Sequence, residues 1–171
     1  GLAAKTSTEF YENFGDEEYS DPKVWEIVAA GDTLGIFQIE TGNALPSVRK
    51  MKPQNEWDMA DLTSVIRPGV VKAGLLDVYF DRKDGRTPYK SIHPMLDSIL
   101  DRTYGIVVYQ EQAMKIFLQI GLYSPAETEK MRKLIGKKKV HEMEAEKPRF
   151  FERCLANEEF IDQVPRGSNP Q

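Results

Sequence analysis

The chain has 171 residues, 29% of them charged and 40% hydrophobic, which suits one compact domain, or a small domain with arms, around a sizeable core. No run approaches the roughly 20 apolar residues of a membrane span, and the opening GLAAKTSTEF lacks the basic start and apolar centre of a signal peptide, so neither secretion nor membrane insertion is expected. The single cysteine, Cys154, excludes an intrachain disulfide, and with only His93 and His141 no Cys/His zinc site can form; a reducing, cytoplasmic setting is expected. The net charge of −4 is uneven: residues 1–40 hold nine acids and two bases, residues 41–171 eighteen acids and twenty-one bases, so a polyanion would dock on the later part.

Residues 1–20 are acidic and aperiodic and read as a loosely held arm. Asp21-Pro22 then supplies an N-cap and a first-turn proline, Val24, Ile27 and Val28 form one apolar face, and Gly31 stops the helix. Leu34–Ile39 is a short apolar run around Gln38, and 43–51 can form a helix with Pro46 in its first turn. Asn55 caps a helix carrying Trp57, Ala60, Leu62 and Val65, which ends at the Arg67-Pro68-Gly69 corner. Leu75–Phe80 fits a helix or a buried strand, and Asp84-Gly85 reads as a turn.

Ser91–Arg102 reads as helical, whereas GIVVY (105–109) is rich in β-branched residues and precedes a helix from Gln110 with Ala113, Phe117 and Ile120 on one face. Ser124, Pro125 and Glu127 form a capping box, and the helix they open runs to Gly136 as its C-cap. A further helix from Val140 is expected to break at Pro148 and resume through Phe150, Phe151, Cys154 and Leu155. The fold class is therefore mainly α with a small β component.

Asp77 and Asp81, four apart and followed by Arg82 and Lys83, suit a magnesium and phosphate site, but an ordinary surface ion-pair ladder fits the same pattern. Arg132, Lys133 and Lys137–Lys139 gather five cations at one helix end, either complementing the helix dipole or clamping a triphosphate or a DNA backbone. Tyr109, Gln110, Glu111 and Gln112 pack an aromatic with three polar side chains at an expected strand-to-helix junction, where functional groups are often presented, although most such junctions are only caps. His93 has no second ligand near it and reads as structural or solvent-facing, and Cys154 reads as a core thiol.

Taken in order, GIFQIE (35–40), MKP (51–53), RPG (67–69), DVYFDRKDG (77–85), HPMLDSILDRTYGIVVYQEQAMKI (93–116) and RKLIGKKK (132–139) resemble the C-family bacterial replicative DNA polymerases, the DNA polymerase III alpha subunits, over roughly residues 22–157. TYGIVVYQEQ and IGKKK are the most diagnostic stretches. The resemblance implies a polymerase-β-like palm whose aspartates hold two magnesium ions, and helical fingers that close on the incoming deoxynucleotide. The palm would be incomplete here, because the chain contains no Asp-x-Asp.

Residue by residue, the resemblance implies Asp77 as the third catalytic, metal-binding aspartate in preference to Asp81. It implies nucleotide or phosphate contacts at Arg67, Arg82, Lys83, Tyr109, Gln110, Arg132, Lys133, Lys137 and Lys138. The sequence departs from the family pattern at Asp84, where His is more usual, at Val70, where Pro follows RPG, and at Leu134-Ile135, where Ala-Met is common. The implied organisation is an acidic arm (1–20), a palm-edge segment (21–90), a helical fingers segment (91–157) and a tail (158–171) in which VPRGS resembles part of a protease-cleavage tag.

The expected function is thus a fragment of a DNA-directed DNA polymerase, inactive alone, that adds deoxynucleotides to a primer 3′ end with Mg2+ in chromosomal or phage replication. Its implied partners are primer-template DNA, deoxynucleoside triphosphates, the remainder of the polymerase chain and replisome subunits, without a membrane, in the cytoplasm of a bacterium or of a phage's host. The alternatives are a non-catalytic helical module that binds nucleic acid or nucleotide phosphates, and a scaffold fragment without activity.

Overall fold

A computed structural model describes residues 21–164; residues 1–20, expected as an acidic arm, and residues 165–171, the end of the expected tail, lie outside the described residues. Two compact units divide the chain, residues 1–76 and 77–171. Among the described residues the regular elements are ten α-helices and one 3-10 turn, with no strand.

The first unit begins with α1 (Pro22–Ala30), capped by the Asp21 carboxylate accepting from the Lys23 amide at 2.9 Å. It ends at Gly31, where φ is +86° and a Cβ would stand 2.7 Å from Arg49 Nε, so only glycine fits both the turn and the arginine. Arg49, from α2 (Leu45–Met51), donates to the Ala30 carbonyl at 3.2 Å and ties the two helices together. Of the face expected on α1 only Val28 is buried; Val24 and Ile27 are exposed. The intervening loop turns on Thr33, whose hydroxyl donates to the Ile39 carbonyl at 2.8 Å, so that Ile39 is buried while Leu34 and Phe37 face outward.

Asn55 caps α3 (Glu56–Val65) through the Asp58 amide at 2.9 Å, as its position in the sequence suggests. Leu62 and Val65 enter a core with Val28, Ile39, Val48 and Met51, whereas Trp57 is exposed. Arg67 is the N-cap residue of the short α4 (Pro68–Lys72).

The boundary between the units falls in α5 (Leu75–Lys83), which settles the helix-or-strand choice for Leu75–Phe80 as helix. In the second unit Tyr79 and Phe80 are buried, and the Tyr79 ring meets Tyr104 edge-on at 5.3 Å. His93 is the N-cap of α6 (Pro94–Leu100): its Nδ1 accepts from the Met95 amide at 3.1 Å and its Nε2–H donates to the Phe160 carbonyl at 2.8 Å. Each ring nitrogen therefore has one partner, and the buried imidazole is structural.

After η1 (Asp101–Thr103) comes α7 (Gln110–Gln119), which packs on α8 (Pro125–Gly136). Tyr123, Met131 and Leu134 form the buried centre there, closed by Phe117, Met143 and Phe150. Helix α9 (Val140–Ala156) runs unbroken through Pro148, contrary to the expected interruption. The proline's missing donor orphans only the carbonyl of Glu144, an exposed residue that water can satisfy. Asn157 then caps α10 (Glu158–Asp162) and donates from Nδ2 to the Gln119 and Ile120 carbonyls at 2.9 and 3.0 Å, closing the end of α7.

The expected β component is absent among the described residues because GIVVY meets no strand edge. Its backbone groups bond instead to side chains: Ile106 O accepts from the Thr103 hydroxyl at 2.7 Å, and the Val108 and Tyr109 amides donate to Gln112 Oε1 at 2.8 and 2.9 Å. Propensity for strand gives way where no neighbour supplies a ladder.

Candidate functional site

The start of α7 is held from within. Gln112, buried one turn into the helix, accepts the Val108 and Tyr109 amides on Oε1 and donates from Nε2 to the Ile99 carbonyl at 3.1 Å and to Thr103 Oγ1 at 2.7 Å. All four hydrogen-bonding capacities of its amide are used. Tyr109 is half-buried at the helix start, and the guanidinium of Arg102 lies over its ring at 5.1 Å. That distance is within the range of a cation–π contact.

The end of α8 adjoins this place, since a Cβ on Gly136 would stand 3.7 Å from Gln110 Nε2. Gly136 is the last helical residue and not the expected C-cap; Lys137 is the cap, and the left-handed position falls on Lys138 at φ +53°. Lys138 N–H bonds to Ile135 O and Lys139 N–H to Leu134 O, both at 3.0 Å, the paired closure of a Schellman turn. A lysine here occupies the position that glycine takes most readily.

The five cations of this region are not equivalent. Arg132 forks onto Glu129 with both bonds at 2.7 Å, and Lys133 reaches the same carboxylate at 3.7 Å. The bond from Arg132 holds the Glu129 carboxyl below its ordinary range and raises the guanidinium in turn. Lys139 pairs with Glu142. Lys137 and Lys138 are exposed and make no ion pair with a described residue. Gln110, Lys137 and Lys138 thus share one end of the second unit, with Tyr109 and Arg102 beside Gln110.

The DVYFDRKDG stretch distributes its residues differently. Asp77 is exposed at the start of α5, while Asp81 is half-buried and bound to Arg86 at 3.1 Å. Arg82 turns inward, donating from Nη1 to the Tyr104 carbonyl at 2.7 Å with its guanidinium 5.5 Å over Tyr89, so it ties α5 to the turn before GIVVY. Lys83 is half-buried in the last turn of α5, and Arg67 is exposed in the first unit. Among the described residues no group of three or more His, Cys, Asp or Glu side chains could hold a metal ion. The described residues therefore do not by themselves make a two-magnesium site.

A second polar cluster escaped sequence reasoning because its members lie far apart in the chain. Glu127 caps α8 by accepting the Ser124 amide at 2.8 Å, and it also receives Arg149 and, at 2.9 Å, Arg153. The Ser124 amide and hydroxyl, together with the two arginines, draw its carboxyl down to about 2. Tyr123 lies beneath those arginines, 4.6 Å from Arg153 Cζ, and donates to Glu146 at 2.8 Å; burial and then this bond push its hydroxyl up to about 12. The cluster fastens α9 to the start of α8.

Residues 4–158 match the family described as the bacterial DNA polymerase III alpha subunit finger domain. The chain belongs to that family. The DNA polymerase III alpha subunit of Aquifex aeolicus (strain VF5) is 38% identical over 143 residues, covering 84% of this chain and 12% of that protein. The corresponding subunit of Caulobacter vibrioides (strain NA1000 / CB15N) is 36% identical over 156 residues, or 91% of this chain and 13% of that protein. That of Thermus aquaticus is 38% identical over 148 residues, covering 81% and 12%. This finger domain therefore spans about one-eighth of the length of these relatives. The match takes in both compact units, and with them Arg67, the α5 residues, the start of α7 and the cationic end of α8.

Proposed function

We propose that the chain is the finger element of a bacterial replicative DNA polymerase and that the end shared by the start of α7 and the close of α8 grips the triphosphate of an incoming deoxynucleotide. The observation that carries this reading is Lys138 itself. An exposed lysine without a carboxylate partner stands in the left-handed position of a Schellman turn, where glycine would be unstrained. Gln38, Lys52, Tyr104 and Leu122 also have a positive φ, and Lys138 is set apart from them by standing in the run Lys137–Lys139 at the helix end that meets Gln110. Lys137 precedes Lys138 and Gln110 Nε2 lies against Gly136, two residues earlier, so two point charges and an amide donor stand at the same end of α8, where phosphate oxygens would sit.

Within a whole polymerase, the partners under this reading are primer-template DNA, deoxynucleotides, the rest of the polymerase chain and other replisome subunits, and the reaction is nucleotidyl transfer. Under this reading the chain alone does not extend a primer, because its sequence lacks the Asp-x-Asp pair that the family resemblance implies for the palm. Asp77, exposed at the start of α5 and matching the family's third aspartate by its distance from the RKDG turn, is the carboxylate this chain would add to acids located elsewhere in the polymerase. Asp77→Asn in the whole enzyme tests that point: lost turnover with intact DNA affinity supports it, and retained turnover removes Asp77 from the chemistry.

The second reading, a phosphate-binding module that holds only the DNA backbone, draws on Arg132 and Lys133, both engaged with Glu129 as an ordinary exposed pair would be. Kinetics separate the two. In the whole polymerase, Lys137→Ala with Lys138→Ala is expected to raise the KM for deoxynucleotide while leaving the Kd for primer-template nearly unchanged. A loss confined to DNA affinity supports the backbone reading instead.

A further inference from the structure

We infer that Thr103 and Gln112, neither of which faces solvent, are positioning residues for the nucleotide contact at the start of α7; the inference rests on the triphosphate reading above. Thr103 is fully buried and Gln112 more than nine-tenths buried. They join two segments that present surface groups. Thr103 closes η1, whose preceding residue is Arg102, while Gln112 holds the amides of Val108 and Tyr109. The 2.7 Å bond from Gln112 Nε2 to Thr103 Oγ1 therefore links the two segments that carry Arg102 and Tyr109, whose guanidinium and ring meet at 5.1 Å, and sets their spacing.

The hydroxyl has one proton. Its shorter contact is to Ile106 O at 2.7 Å, against 3.2 Å to Leu100 O, so it donates toward GIVVY while accepting from Gln112. A chain of directed bonds runs from Ile99 O through Gln112 and Thr103 to Ile106 O, and a second pair of bonds runs from Gln112 to the helix start. Each member orients the next, so a substitution at Thr103 reaches Tyr109 without touching a ligand. The adjacent Gln110 belongs to the same first turn and moves with it.

The test uses the whole polymerase, with steady-state kinetics at saturating primer-template. Thr103→Val is expected to raise the deoxynucleotide KM roughly three- to tenfold, the span of a lost hydrogen bond, with the Kd for primer-template unchanged. Thr103→Ser, which keeps the hydroxyl, is expected to restore KM. Gln112→Met breaks the same bridge from the other side, gives the same rise and serves where Thr103→Val fails to fold. Val48→Ala, a core truncation in the first unit, provides a match for lost melting temperature and leaves KM unchanged. Tyr109→Ala raises KM on its own, and adding Thr103→Val to it produces little further rise.

If Thr103→Val or Gln112→Met moves KM no more than Val48→Ala does, or if Thr103→Val and Tyr109→Ala multiply fully, the positioning role is overturned while the triphosphate reading stands. If Tyr109→Ala and the Lys137→Ala, Lys138→Ala pair all leave KM unchanged, the triphosphate reading falls and the inference falls with it.

Discussion

Gln112 Nε2 lies 2.7 Å from Thr103 Oγ1, a buried side-chain pair that takes the place of a strand ladder for the residues between η1 and α7. Removing the hydroxyl leaves the Ile106 carbonyl short of its side-chain donor and Gln112 Nε2 with one partner. Orphaned buried polar groups cost about 1–3 kcal/mol, so Thr103→Val is expected to destabilise the chain by that amount in denaturant unfolding, and Thr103→Ser by clearly less. Equal stability for Thr103→Val and the native chain would show that these bonds are replaced by others.

Lys138 supplies a prediction of opposite sign. Relief of its left-handed strain in Lys138→Gly is expected to leave the chain more stable by about 0.5–1 kcal/mol or unchanged, while raising the deoxynucleotide KM of the whole polymerase. Thermal unfolding and steady-state kinetics measure the two halves. A variant both less stable and fully active would contradict the trade-off.

Gly105 is constrained twice over. Its φ is +79°, and a Cβ would stand 2.1 Å from Tyr89 Cε2, inside the ring that Arg82 covers. Gly105→Ala must displace Tyr89 as well as accept the backbone strain, so a loss of more than about 1–2 kcal/mol is expected from unfolding curves. Pairing it with Tyr89→Ala should recover the steric part and leave the backbone part.

Glu127 sets an acid-side pH dependence. Its carboxyl is drawn from the ordinary 4.5 down to about 2 in the fold, so its contribution is present above 4.5 and is lost as the pH falls from there through about 2. Glu127→Gln is expected to flatten the stability profile in that window and to weaken the hold of Arg149 and Arg153 on the start of α8. A variant with the native slope would assign the acid sensitivity to other groups.

Much of the helical frame could be read locally. Asp21, Asn55 and the Ser124–Glu127 box cap their helices as the sequence indicates, because a cap is a contact between residues two or three apart. What depends on distant partners could not be read this way. GIVVY has strand composition but meets no strand among the described residues, Arg82 bonds to a carbonyl 22 residues on, and Glu127 finds Arg153 26 residues away. At the site, the clustering of cations was visible in IGKKK, whereas the division between paired Arg132 and unpaired Lys138 depends on where Glu129 reaches. Gln112 was visible as part of YQEQ, but its inward turn toward Thr103 was not.

The most direct test of the triphosphate grip is lysine reactivity in the whole polymerase, read by acetylation and mass spectrometry with primer-template alone and then with the matching deoxynucleotide added. Lys137 and Lys138 are expected to lose reactivity when the deoxynucleotide is added, while exposed Lys130 on the same helix keeps its own. Unchanged acetylation of Lys137 and Lys138 on adding deoxynucleotide, or full protection already with DNA alone, would contradict the account.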